Sequence, residues 1–169
     1  MGHIDHILSR PQADTALCGS PPRSSQSRAS HLRAIIASAC EVGAGCPPHL
    51  AGGLLARVGR AAAADPDDPG ACAHAAFALV EYLTEHGVAA FALTEADLIS
   101  GSATAQAKLR AVNAAMARLA DRAEALRADA LGEGGHAPPA ADWRPIDIGE
   151  ARVLRGVLSS ARIRGRLQS

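Results

Sequence analysis

Cys40, Cys46 and His49 place two thiols and an imidazole within one short stretch, "CEVGAGCPPH", the makings of half a metal site. Zinc takes thiolate sulfur and imidazole nitrogen, so the residue types are right. The spacing Cys-x5-Cys-x2-His is not one of the tight knuckles, and a fourth ligand would have to come from Cys72 or His74. Residues two apart on a helix point about 200° apart, so only one of those two could join. Gly43, Gly45 and the Pro47-Pro48 pair suit instead a tight turn between two helices, with Cys40 as a small core residue. The turn is therefore the expectation, with metal at Cys40, Cys46 and His49 as the alternative and no cofactor expected. His3 and His6 form a further pair with the spacing of a surface metal site.

A second group could do proton chemistry. His74, Glu81, Tyr82, Glu85 and His86 follow one another closely, and Glu81 and Glu85 stand one helical turn apart, where two carboxylates could divide acid and base roles. These five would line a pocket if one opened between helices. Carboxylates in that arrangement more often face water beside a helix end. No G-x-S-x-G, P-loop, H-E-x-x-H or dinucleotide-binding fingerprint occurs in the chain.

Two further groups could hold charge. Ser102, Thr104 and Lys108 combine hydroxyls, free backbone N–H groups and a cation at the start of a helix, which suits a phosphate or carboxylate. Ordinary capping accounts for the same serine and threonine. Arg152, Arg155, Arg162 and Arg166 fall on one face of the last helix, with Ser159 between them. That stripe could touch nucleic-acid phosphate, dock on an acidic surface within the chain or across a dimer, or simply face water.

The elements that must carry these residues are all helical. Residues 27 or 30 to 42 form the first helix, with Leu32, Ile35, Ile36, Ala39 and Cys40 on its apolar face. The next, about 49–64, buries Ala51, Leu54, Leu55, Val58, Ala61 and Ala62 and stops at Asp65-Pro66. The third opens at Asp68-Pro69, closes at His86-Gly87 and buries Ala73, Ala76, Phe77, Val80 and Leu83. Thr94–Asp97 reads as a capping box for a short helix that Ser100-Gly101-Ser102 breaks. A long helix over about 103–130 carries Leu109, Val112, Met116, Leu119, Ala123, Leu126 and Ala130 as a heptad seam. After a loop over 132–146, a last helix starts at Asp147, with Glu150 reaching back, and buries Ile148, Ala151, Leu154, Val157, Leu158 and Ala161. No stretch alternates with period two for long enough to suggest a strand.

Composition narrows the function. Alanine makes up roughly a quarter of the 169 residues, and Phe77, Tyr82, Phe91 and Trp143 are the only aromatic side chains. Small apolar residues with so few rings suit close helix pairs. Seventeen basic residues balance seventeen acidic ones, which weakens a nucleic-acid reading, and stacking on single strands needs more rings. The charge is unevenly placed: residues 65 to 97 hold acids but no Lys or Arg, while arginines dominate from Arg144 onward. The start lacks a secretory pattern and no apolar run approaches a bilayer span.

The expected fold is all-α, a single domain of five or six helices, bundle-like or orthogonal, over residues 28 to 169, with a flexible N-terminal arm over 1 to 27. The expected function is a non-enzymatic helical interaction or regulatory protein of the cytoplasm. It would be homodimeric through the seam or bound to another protein, with the arginine stripe for recognition. The first alternative is a small all-α enzyme or ligand-binding protein using the His/carboxylate pocket; the second is DNA binding through the last helix. Nucleic acid is the less favoured partner, and no membrane partner is expected.

Overall fold

The computed structural model describes residues 25–166, with side chains described over 25–157. The expected arm falls almost wholly outside the described residues. Helix α1 (Ser25–Gly43) is followed by α2 (Pro48–Ala62) and α3 (Pro69–Glu85), then a short 3-10 turn at Val88–Ala92. Next come α4 (Glu95–Ser100), α5 (Ala103–Gly132) and α6 (Ile148–Arg166). The fold is all-α, with six helices in one body and no strand among the described residues.

The expected punctuation forms. Pro48 opens α2, the Asp68 side chain accepts from the Ala71 N–H at the start of α3, and Thr94 and Asp97 close a capping box on α4. Asp147 and Glu150 make the same reciprocal pair before α6. Gly87, at φ 55°, takes the left-handed backbone that ends α3. Gly45 serves close approach instead: a Cβ there would stand 2.7 Å from the Phe91 carbonyl oxygen. The α1–α2 turn is thus pressed onto the backbone of the 3-10 turn.

The main core lies among α1, α2, α3 and α5, with Ile35, Leu79, Val80, Leu83, Met116 and Leu119 fully enclosed. Of the heptad seam, Leu109, Met116, Leu119, Ala123, Leu126 and Ala130 are buried within the single chain, and α5 packs most extensively on α3. The seam is therefore an intramolecular surface. A second, smaller cluster joins Ala90, Leu93, Leu98, Leu109 and Ala151, and this is where α6 docks.

Several burial expectations differ. Cys40 is exposed, while Val42 takes the core position at the end of α1. Leu55 is 64% exposed and Ala62 also faces water, because α2 is covered on one side only, by α1 and α3. Val157 is 59% exposed, since the described part of α6 packs chiefly on α4 and the 3-10 turn, with Leu109 of α5 in the same small cluster, and buries a narrow face there. The 3-10 turn itself, with Val88, Ala89 and Ala90 buried, has no periodic signal in its five residues.

Candidate functional site

Three of the five residues with proton chemistry share one surface. His74, Glu81 and Glu85 project from α3 into a groove of about 540 Å³, whose opposite wall is residues 138–142 of the α5–α6 loop. Phe77 forms part of the floor, and Asp142 adds a carboxylate from the far side. The loop stands there for local reasons. Arg127 donates from Nε to the Pro138 carbonyl at 2.7 Å, and Asn113 exchanges hydrogen bonds with Ile146, donating from Nδ2 at 2.8 Å and accepting at 3.3 Å. Pro138 and Pro139 have no N–H to satisfy and hold the wall extended. His74 stacks on His136 of the same loop, ring centres 5.7 Å apart.

Tyr82 and His86 belong to another face. The Tyr82 hydroxyl donates to the Leu50 carbonyl at 2.7 Å, tying α3 to α2, and His86 meets the ring edge-on at 4.3 Å. The Arg57 guanidinium lies over the same ring at 4.2 Å, and burial pushes the phenol up from its ordinary value. This is a packed joint rather than an open site.

Cys40, Cys46 and His49 do not form a cage: Cys40 and His49 are exposed and Cys46 is half-buried, and no three His, Cys, Asp or Glu converge among the described residues. The Cys72 thiol donates to the Asp65 carbonyl at 3.3 Å. Burial pushes both Cys46 and Cys72 up, away from the thiolate that a nucleophile or metal ligand needs. His3 and His6 lie outside the described residues.

Ser102 caps α5, accepting from the Ala105 N–H at 3.2 Å, and Thr104 is exposed. Lys108 is turned to Asp97, 2.9 Å away. The Thr94 backbone N–H, Lys108 and the Thr94 hydroxyl together hold the Asp97 carboxyl down at about 2. The cation that would have held an anion is engaged by a carboxylate.

The arginine stripe divides as well. Arg152 donates from Nε and Nη2 to the Leu98 carbonyl, at 3.0 and 2.5 Å, at the end of α4. Arg155 donates to the Leu93 carbonyl at 3.1 Å and lies 4.8 Å over the Phe91 ring. Guanidinium groups at carbonyls ending short helical segments neutralise partial negative charge there. The side chains of Arg162 and Arg166 lie outside the described ones.

Asp142 and the proline wall are the groove residues that sequence reading missed. Their signal was present in "HAPPAAD", a loop whose paired prolines favour an extended, rigid run. The chain matches no protein-family model, no curated protein and no solved structure.

Proposed function

We propose that this chain is a non-enzymatic helical interaction or regulatory protein of the cytoplasm, which meets a second copy of itself through the edge formed by α4 and α6. What carries the reading is the apolar surface left uncovered there. Val153 is 64% exposed and Val157 59%, one helical turn apart on α6, and Ile99 on α4 is 73% exposed. Val153 and Val157, at i and i+4, share one face of α6, and Ile99 lies on α4, which the Arg152–Leu98 hydrogen bond ties to α6. Large apolar side chains grouped at one edge, rather than scattered singly, mark interaction surfaces.

Other observations support a binding role over catalysis. His74, Glu81 and Glu85 are exposed rather than enclosed in an apolar cleft. Arg152 and Arg155 are spent on backbone carbonyls, which leaves a DNA-binding stripe without two of its four members. No described helix is long and apolar enough to cross a membrane.

Native mass spectrometry of the untagged chain tests the reading. The expected species is a dimer that becomes monomeric on Val153→Glu with Val157→Glu, at unchanged far-UV circular dichroism. A wild-type monomer at every accessible concentration would sink the self-association reading.

A further inference from the structure

The segment between α5 and α6 is anchored at its two ends and unheld between them. At the near end the Gly135 N–H donates to the Ala130 carbonyl at 2.9 Å and His136 stacks on His74. The fit there is close, since a Cβ at Gly70 would stand 3.0 Å from the His136 carbonyl oxygen. Arg127 then holds the Pro138 carbonyl, and at the far end Asn113 holds both backbone groups of Ile146. Both of these side chains rise from α5, the helix that the segment leaves. Between them, residues 139–143 make no hydrogen bond with any other described residue, and Arg144 turns away to Glu150 of α6. On α3 the Thr84 hydroxyl donates back to the Val80 carbonyl at 2.8 Å, so it does not hold the segment either.

Packing is loose on both flanks. Residues 138–142 border the outer groove of about 540 Å³. Trp143, Arg144 and Ile146 border a second cavity of about 40 Å³, against Leu83, Met116 and Leu154. Thr84 lines both, so the step from Asp142 to Trp143 is the partition between them. What seats it is apolar contact alone: Ala141, Trp143 and Ile146 rest half-buried on the main core. A side chain bordered by a cavity lacks attracting atoms on that side, which weakens its seat. Leu83 and Met116, each 1% exposed, line the smaller cavity that this segment helps to close.

We propose that residues 139–145 are a hinged strap, which lifts off α3 while both anchors on α5 stay made. Lifting withdraws Trp143 and joins the two cavities into one apolar trough over Leu83 and Met116. Pro139 and Pro145, each with a fixed φ, stiffen the span at both ends, so it moves as one piece. Local opening belongs where buried contacts are few and hydrogen bonds are missing. The strap thereby governs access to an apolar surface separate from the α4–α6 edge, whatever the oligomeric state.

Fluorine relaxation-dispersion NMR of the full chain labelled with fluorotryptophan tests it, because Trp143 is the only tryptophan. Exchange on the microsecond-to-millisecond scale is expected, with a minor state shifted toward the position of the urea-unfolded chain. Amide protection in α3 and α5 should show the bundle closed meanwhile. Leu154→Ala removes a wall of the smaller cavity, and Asn113→Ala cuts the Ile146 anchor. Each should raise the minor population about threefold or more. Circular dichroism verifies folding, and either variant suffices if the other fails to fold. Three outcomes overturn the proposal: a flat dispersion profile, a minor population that rises with urea in step with global unfolding, or one that neither variant moves.

Discussion

Arg28 and Asp129, 101 residues apart in sequence, meet at 2.9 Å, each with only 8% of its side chain exposed. The same guanidinium donates to Glu133 at 2.8 Å and to the Pro66 carbonyl at 2.7 Å. One arginine on α1 thereby joins the end of α5 and the α2–α3 turn. The hydrogen bond that it donates to Asp129 pushes the guanidinium up from its ordinary value.

Removing Arg28 leaves the largely enclosed Asp129 carboxylate deprived of this charge partner. Arg28→Met is expected to lower stability by about 2–3 kcal/mol, in the range of lost charged hydrogen bonds. Urea unfolding with a double-mutant cycle against Asp129→Asn measures it. A change below about 0.5 kcal/mol would reduce the clamp to an ordinary surface ion pair.

Asp97 gives a pH-dependent prediction. Its carboxyl is held down to about 2 from an ordinary 3.8, so the charged form is favoured in the folded chain. Stability from this group is fully present above pH 3.8 and is lost as pH falls through about 2. A carboxyl-detected NMR titration should place its midpoint near 2 in the native chain. Lys108→Ala should raise the midpoint only part of the way, because the Thr94 N–H, the largest contributor, remains. A return to the ordinary value would assign the whole effect to Lys108.

Helix positions were readable from the sequence because their signals are local. Pro48, Asp68-Pro69, Thr94–Asp97 and Asp147–Glu150 act within four residues of themselves, and each does in the structure what its type implies. The seam of α5 was readable as apolar but not as intramolecular, since a heptad stripe looks the same whether α3 or a second chain covers it. Burial at element edges was the weakest point: Cys40, Leu55 and Val157 have core-like types and spacing, yet too few neighbours reach their sides of α1, α2 and α6. The groove was half legible. His74, Glu81 and Glu85 follow from helical spacing, whereas Asp142 arrives through contacts of Arg127 and Asn113 more than ten residues away.

Gly53 sets helix propensity against space. Alanine is favoured over glycine inside a helix by about 1 kcal/mol. A Cβ at Gly53, however, would stand 2.4 Å from the Tyr82 hydroxyl oxygen and 2.8 Å from its ring carbon, on a side chain held by Leu50 and Arg57. Overpacking of this kind costs about 1–3 kcal/mol, and the buried Leu50 carbonyl would lose its donor as well. Gly53→Ala is therefore expected to destabilise on balance, whereas Gly59→Ala, with nothing within 4 Å, should stabilise. Paired thermal melts of the two variants read the sign directly. Stabilisation by both would show that Tyr82 yields freely.

Arg152 and Arg155 bear on how α6 is presented. Their guanidinium groups hold the Leu98 and Leu93 carbonyls, and Ala151 is the one residue of α6 in the second apolar cluster that is fully enclosed. Among the described residues, the main core of α1, α2, α3 and α5 contains no α6 residue. Loss of both arginines should therefore loosen α6 without unfolding the bundle. In Arg152→Ala with Arg155→Ala, amide exchange over residues 148–157 should accelerate at least about tenfold, while protection in α3 and α5 stays near that of the native chain. Global loss of protection would mean that the small cluster and the main core unfold as one unit. The same variant separates two roles for the stripe. If α6 loosens and self-association weakens together, the arginines position the Val153–Val157 face rather than touch the partner. If α6 stays docked and association is still lost, they belong to the interface.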